Sequence, residues 1–328
     1  MKLDNQVATL RLLRERGRIP VPEVIRFDQS TENELNARYM IQNRVPGIEL
    51  FKGYPRLDWR AKYKLARELG HVYRELLATY SDAPGALVLP VDHSAKFELV
   101  PWHRPRVART REYNDSPVPQ DLYKILVDIF IARKESDLRR WPNKTAGPRL
   151  MDRFCVMASE LSERGWFEDC RMSLEHFDIT PRNIIVHPEP STGNPVISGI
   201  IDWDQAVFAP HFVCCKPPAW LWTWLAGSDH DGFHAHEQLA PGEPPTPEGR
   251  KLKRIFDESA GLEYVRFAYT PAYRLARLLV YITIRGLVWQ NHIEAKETNW
   301  VYKLGNEVIS CWATISGDKK RGWRRRGR

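Results

Sequence analysis

Apolar positions change period twice within the first 45 residues. Val7, Leu10 and Leu13 fall three apart, the spacing of one helix face, and Gly17 follows where such a helix would stop. Asp4 stands ahead of the stripe as a candidate N-cap. The pattern then shortens to strand-length runs, Val24–Phe27 and Tyr39–Gln42, parted by the polar stretch 28–36, with Asn36-Ala37-Arg38 as the turn of a hairpin. Residues 1–45 therefore predict helix, strand, strand. Gln42, Asn43 and Arg44, leading into Val45-Pro46-Gly47, fall where two lobes would hinge.

Helical periodicity dominates from residue 46 onward. Asp58 can cap a helix carrying Trp59, Tyr63, Ala66, Leu69, Tyr73, Leu76 and Tyr80 on one face. A Pro-rich connection, 101–119, precedes a helix marked by Leu122, Ile125, Leu126, Ile129 and Phe130. Another, marked by Leu150, Phe154 and Leu161, ends near Gly165. Ile184–His187 and Val196–Ile201 flank a polar turn and predict a second hairpin. Residues 227–249, rich in Gly, Pro, His and acids, read as an excursion loop, and two helices are expected near 272–290 and 298–312. The chain divides into a small mixed segment (1–45), a mainly helical body (46–316) and a tail (317–328).

Composition narrows the function classes. With 328 residues, 43% apolar and 27% charged, the chain can form one large domain or two lobes. The net charge of +8 invites a nucleic-acid reading, but six of those charges sit in the tail 317–328, which holds seven Lys/Arg and one Asp. A folded binding face carries its basic residues on the domain itself. The tail predicts a solvated segment with weak contact to RNA or anionic surfaces. Five cysteines, an odd number without a Cys-x-x-Cys pair, indicate neither a disulfide framework nor a zinc ribbon. His230, His234 and His236 match no common ligand spacing and read as a solvated loop. No apolar run approaches membrane-spanning length and no leader is evident, so a cytoplasmic location is expected.

Candidate chemistry is concentrated in residues 174–204. Leu174-Glu175-His176-Phe177-Asp178-Ile179-Thr180-Pro181-Arg182-Asn183 runs into the strand Ile184–Val186, and Ile200-Ile201-Asp202-Trp203-Asp204 closes the hairpin. Phosphoryl transfer from ATP needs one carboxylate to take the hydroxyl proton. It also needs an amide and a second carboxylate to hold Mg²⁺ against the phosphates. His-x-Asp-x4-Asn, strand, turn, strand, Asp is the order in which kinase active sites supply them.

The run resembles the aminoglycoside phosphotransferase family, in particular its fungal branch. Ile19-Pro20-Val21-Pro22-Glu23-Val24, Tyr39-Met40-Ile41 and Val45-Pro46-Gly47 extend the similarity to about residues 5–290 in outline. The fold implied is α+β: a protein-kinase-like two-lobed fold with a truncated N-lobe and a mainly helical C-lobe. The resemblance implies ATP and Mg²⁺ as cofactors and a small-molecule hydroxyl as acceptor. It makes Asp178 the catalytic base, Asn183 and Asp202 the metal ligands, and His176 a brace for the loop. The backbone of Gln42, Asn43 and Arg44 would meet the adenine edge. Asp204 is either a supporting or substrate-side acid or a plain surface acid, and Arg182 either touches phosphate or, the expected reading, pairs with Asp204 or another acid.

Departures from the family pattern keep two further readings open. Gln6 stands where relatives carry the Glu that pairs with a strand Lys, few residues precede the first helix, and no Gly-rich phosphate loop occurs. A pseudokinase serving as a ligand-binding or interaction module, or a truncated gene model of an active kinase, would also have these features. The chain offers no evident acid cluster for a polycationic aminoglycoside, so a sugar, an amino alcohol or another metabolite suits it equally well as acceptor.

Overall fold

A computed structural model describes residues 3–89, 97–100, 146–168, 171–224 and 243–285, with scattered helical positions between 127 and 139 and at Trp312. The elements run α1 (Leu3–Arg16), β1 (Val24–Asp28), β2 (Tyr39–Gln42), β3 (Ile48–Glu49), α2 (Leu50–Gly53), α3 (Trp59–Ala78), β4 (Tyr80–Ser81), β5 (Ala86–Val88) and β6 (Glu98–Val100). They continue through α4 (Ala146–Glu163), β7 (Met172–Glu175), β8 (Ile184–Pro188), β9 (Pro195–Ile200), β10 (Val207–Pro210), α5 (His211–Cys214), α6 (Pro247–Ala260), α7 (Leu262–Tyr269) and α8 (Pro271–Arg285). The chain forms two compact units, one of residues 1–103 with 171–266 and one of 104–170 with 267–328.

The first unit holds the strands and the acids singled out above. α1 buries Val7, Leu10 and Leu13 as their spacing predicts, and Gly17, at φ 65°, ends it by donating its N–H to Leu13 O at 3.0 Å. Asp4 lies inside the first turn rather than at the cap. There its carboxylate still favours the helix N-terminus through the macrodipole. β1 and β2 pair antiparallel with one bulge, and Asn36 takes φ 48° in their turn.

α3 begins at Asp58, whose Oδ1 accepts the Ala61 N–H at 2.8 Å. Its buried face differs from the expected one: Leu65, Ala66, Leu69, Val72, Tyr73, Leu76 and Leu77 are buried, while Trp59 is 46% exposed. Tyr80 is 54% exposed, because the helix ends at Ala78 and Tyr80 turns into β4. That face packs on α6, where Tyr73 and Phe256 meet Tyr264 of α7 edge to face with centroids 5.3–5.5 Å apart. Gly70 permits the close approach. A Cβ there would lie 2.6 Å from Phe256 O and 2.7 Å from Ser259 Cβ.

Two three-stranded sheets frame the site. β8 pairs with both β3 and β9, making the hairpin expected at residues 184–201, and β7 lies between β4 and β10. Gly47 fits β3 against β8 at φ 120°, and a Cβ there would lie 2.2 Å from Val186 O.

In the second unit, Phe154 and Leu161 of α4 are buried as predicted, and Gly165, at φ 74°, follows the helix end. Buried Arg277 of α8 donates to Phe267 O and Ala268 O at 3.2 and 2.8 Å. One boundary differs from the sequence reading, and the helices α6 and α7 that follow it were not expected. The 227–249 loop closes earlier, because Thr246 Oγ1 accepts the Gly249 N–H and Pro247 opens α6, the preferred place for proline in a helix. α8 starts at Pro271, close to the expected 272. The Pro-rich connection 101–119, most of the helix placed at 122–130, His230, His234 and His236, all but Trp312 of the 298–312 helix, and the tail lie outside the described residues.

Because the backbone atoms Phe256 O and Ala260 N crowd the added Cβ along with Ser259 Cβ, Gly70→Ala should lower the unfolding free energy by about 2 kcal/mol, the scale of overpacking a tight core. Urea denaturation checks this; unchanged stability would mean that α3 and α6 are not packed this closely.

Candidate active site

Two connected loops carry the acids. The first follows β7 and folds on itself: Thr180 N–H donates to Asp178 O at 2.8 Å, and Asn183 N–H to Thr180 O at 3.0 Å. Both protons of the Asn183 amide are used on Asp178, one on its carbonyl at 2.9 Å and one on carboxylate Oδ2 at 3.0 Å. With the amide nitrogen turned to Asp178, Asn183 Oδ1 faces away from it. The second loop follows β9 and is tied to the first by Ile201 N–H donating to Asn183 O at 2.9 Å.

His176 joins the loops from beneath. It is fully buried; Nε2–H donates to Ile201 O at 2.9 Å, and Nδ1 accepts the Asp178 N–H at 3.3 Å. Only the neutral Nε2–H tautomer can do both. Burial pushes its pKa below the ordinary 6.5, against the raising influences of Ile201 O, Asp178 and Asp202. Trp203, also fully buried, packs edge-on to the imidazole at 4.5 Å and donates Nε1–H to Ile200 O at 2.7 Å.

Backbone strain sits beside the acids. Phe177, directly before Asp178, takes φ 65°, and Asp202 itself takes φ 69°. Such conformations cost roughly 1–3 kcal/mol each in side-chain-bearing residues and persist only where surrounding contacts enforce them. Asp204 is half-buried, and desolvation followed by the neighbouring Asp202 carboxylate raises its pKa. Asp178, Asp202 and Asp204 thus share one electrostatic neighbourhood.

Among the described residues no group of three or more His, Cys, Asp or Glu could hold a metal ion. Asp202 with Asn183 Oδ1 is a smaller set of hard oxygen donors. It fits Mg²⁺, which typically takes one or two carboxylates and completes its shell with substrate phosphates and water.

The structure brings His176, Asp178, Asn183, Asp202 and Asp204 together. Gln42, Asn43 and Arg44 lie at the end of β2, all exposed. Asn43 is committed to the turn: its N–H donates to Glu23 O at 3.0 Å, and its Oδ1 accepts the Glu23 N–H at 2.6 Å. Arg182 does not pair with Asp204. Its guanidinium lies 4.5 Å over the Phe51 ring, and no ion pair of Arg182 occurs among the described residues. The cause is the α2 turn, which Phe51 N–H ties to Pro181 O at 2.8 Å, bringing the ring under the Arg.

Two contributors were missed in the sequence. Asn5, buried on α1, donates from its amide to Leu87 O at 2.9 Å and Ala206 O at 3.2 Å, linking α1 to the chain just after Asp204. Phe51 stands in the aromatic cluster of Tyr54, Trp220 and Trp224. A buried Asn next to Gln6 leaves no periodic signal, and only an unusual density of aromatics marked the cluster.

An acid loop locked by an Asn is thus braced by a neutral His to a second acid loop. The family model described as the phosphotransferase enzyme family matches residues 1–212, and the chain belongs to that family; its mixed helix-and-sheet fold is the kinase-like one expected above. Aminoglycoside 2'-phosphotransferase-IIIa in complex with GDP is similar at 16% identity and TM-score 0.47, over 95% of this chain and 82% of that one. A thermostable mutant of aminoglycoside phosphotransferase APH(4)-Ia, in a ternary complex with AMP-PNP and hygromycin B, is similar at 17% identity and TM-score 0.47, over 94% and 84%. ADP-bound aminoglycoside phosphotransferase APH(2'')-Ib gives 16% and 0.46, over 94% and 83%. No curated protein sequence matches. No helix among the described residues is long and apolar enough to cross a membrane.

The depressed His176 pKa has a definite sign. The unfolded imidazole takes a proton as pH falls through about 6.5, while the folded one resists it. His176 therefore contributes stability above that pH which is lost on acidification through the folded pKa. His176→Gln, which does not titrate, should be less stable at pH 8 by about 1–3 kcal/mol, the scale of a disrupted buried hydrogen-bond pair. It should also lose less stability than wild type between pH 8 and pH 5. Denaturant titrations at several pH values test this, and parallel pH dependences would exclude a buried neutral His176.

Proposed function

We propose that the protein is an ATP- and Mg²⁺-dependent phosphotransferase acting on a small-molecule hydroxyl. The observation that carries this reading is the double hydrogen bond from the Asn183 amide to Asp178. It fixes one carboxylate oxygen and turns Asn183 Oδ1 away as a donor to a cation. Asp178 takes the proton of the acceptor hydroxyl as that oxygen attacks the γ-phosphorus, and the bond from that phosphorus to the β-phosphate oxygen breaks to release ADP. Asn183 Oδ1 and Asp202 hold Mg²⁺, which when bound neutralises charge on the phosphates. His176 keeps the base and the metal acid in register and stays neutral, so it adds no charge beneath them. Asp204 supports Asp202 from the same loop, and the segment Gln42–Arg44 offers what backbone polarity the Asn43 turn leaves free to the adenine edge.

A second reading, nucleotide binding without turnover, is favoured by Gln6 on α1, an amide where an acid would be needed to pair with a phosphate-binding lysine.

Asp178→Asn should lower phosphoryl transfer by about 10²–10⁴-fold, the range of general-base catalysis, while leaving nucleotide affinity near wild type. Asp202→Ala should abolish the Mg²⁺-dependent part of nucleotide binding. Calorimetry with Mg²⁺–AMP-PNP, together with a coupled assay over a panel of hydroxyl acceptors, reads both effects. Binding without transfer across the panel would select the second reading, and Mg²⁺-independent binding in wild type, or Mg²⁺ dependence that survives in Asp202→Ala, would remove the metal roles.

A further inference from the structure

Arg182 is the one cation on the loop between Asp178 and Asn183, and its surroundings leave it without an acid. Three carboxylates lie close by in the chain, yet its guanidinium forms no ion pair among the described residues, and its buried Nε has no hydrogen-bond partner there. A buried guanidinium donor without an acceptor is costly, because its hydration is lost with nothing in exchange. The platform is built. Phe51 is held by its N–H bond to Pro181 O, its ring centroid lies 4.5 Å from the Arg182 guanidinium carbon, and the ring meets Trp224 at 5.8 Å, tilted by 47°. Trp224 in turn lies 4.8 Å from Tyr54, across whose ring Lys62 Nζ sits at 5.0 Å. Stacking on an aromatic face orients the guanidinium and leaves its edge free as a planar fork.

We propose that Arg182, held on Phe51, is an oxyanion-binding residue of the active site. This rests on the phosphotransferase reading for the neighbouring roles, but not for the binding itself. The fork matches a phosphoryl or carboxylate group bidentately. Two sources carry that chemistry: the phosphoryl group being transferred and an anionic group on the acceptor. In either case a cation on the loop of the base, seated on the Phe51 ring, sets the site against a polycationic acceptor. The acceptor class it suits is a neutral or anionic hydroxyl compound with a flat apolar body.

The test uses the full chain as wild type, Arg182→Gln and Arg182→Lys, each checked by thermal unfolding. Four probes are titrated calorimetrically: Mg²⁺–AMP-PNP, Mg²⁺–ADP, 4-(hydroxymethyl)benzoate and inorganic pyrophosphate. Loss of a charge-assisted fork should weaken binding about tenfold or more in Arg182→Gln. Arg182→Lys should recover only part of it, because a point charge neither forks nor stacks. If Arg182 meets the transferred phosphoryl group, AMP-PNP weakens and ADP does not. If it meets an acceptor anion, the benzoate weakens and both nucleotides are unchanged. Failure of wild type to bind either nucleotide, with pyrophosphate or benzoate binding still lost in Arg182→Gln, would end the phosphotransferase reading and keep the oxyanion site. Equal affinities for every probe in wild type and Arg182→Gln, or no binding of any probe to wild type, would overturn the proposal.

Discussion

The site depends on one buried imidazole. His176 accepts from the backbone of Asp178 and donates to the backbone of Ile201, next to Asp202, so a single ring sets the spacing of the two acid loops. Its chemistry suits the task because a neutral imidazole is donor and acceptor at once. A protonated one would offer two donors and lose the bond from Asp178. Burial against Trp203 keeps the proton off. The strain at Phe177 and Asp202 is understandable on the same terms: both residues are pulled into left-handed backbone beside groups fixed from below.

Above that brace, Asn183 does two jobs with one amide. Its nitrogen closes the loop on Asp178, and its oxygen is directed away from that acid. The connection to the rest of the first unit is made by backbone and by small residues. β8 lies between β3 and β9, Gly47 lets β3 approach Val186, and Gly70 lets α3 lie against α6. Asn5 extends the same logic to α1, which reaches Ala206, two residues beyond Asp204, without using any charge. Rigid placement of acids in this unit therefore comes from hydrogen bonds to backbone and from close packing. No ion pair among the described residues involves Asp202 or Asp204.

Arg182 shows how an aromatic surface can redirect a charge. The sequence suggested a salt bridge to Asp204 or another acid, and the guanidinium forms none among the described residues. The flat face of Phe51, brought in by the Phe51–Pro181 backbone bond, holds the guanidinium instead. Behind Phe51 the aromatic contacts continue through Trp224 to the buried Tyr54.

Local order in this chain is written in its sequence. The stripe Val7–Leu10–Leu13 with Gly17, the cap at Asp58, the hairpin strands around residues 188–195 and the run from His176 to Asp204 follow from periodicity, caps and spacing, which act over a few neighbouring residues. The types of group at the site were legible for the same reason, since Asp178, Asn183 and Asp202 stand at fixed offsets along one loop and one hairpin. The tertiary structure decided which partners those groups take. Asn43 spends its amide on Glu23, Trp59 faces out, Arg182 lies on a residue more than a hundred positions earlier, and Asn5 reaches Leu87 and Ala206. Each choice is a competition between segments far apart in the chain, settled by burial and by which donor finds an acceptor, and no local pattern encodes it.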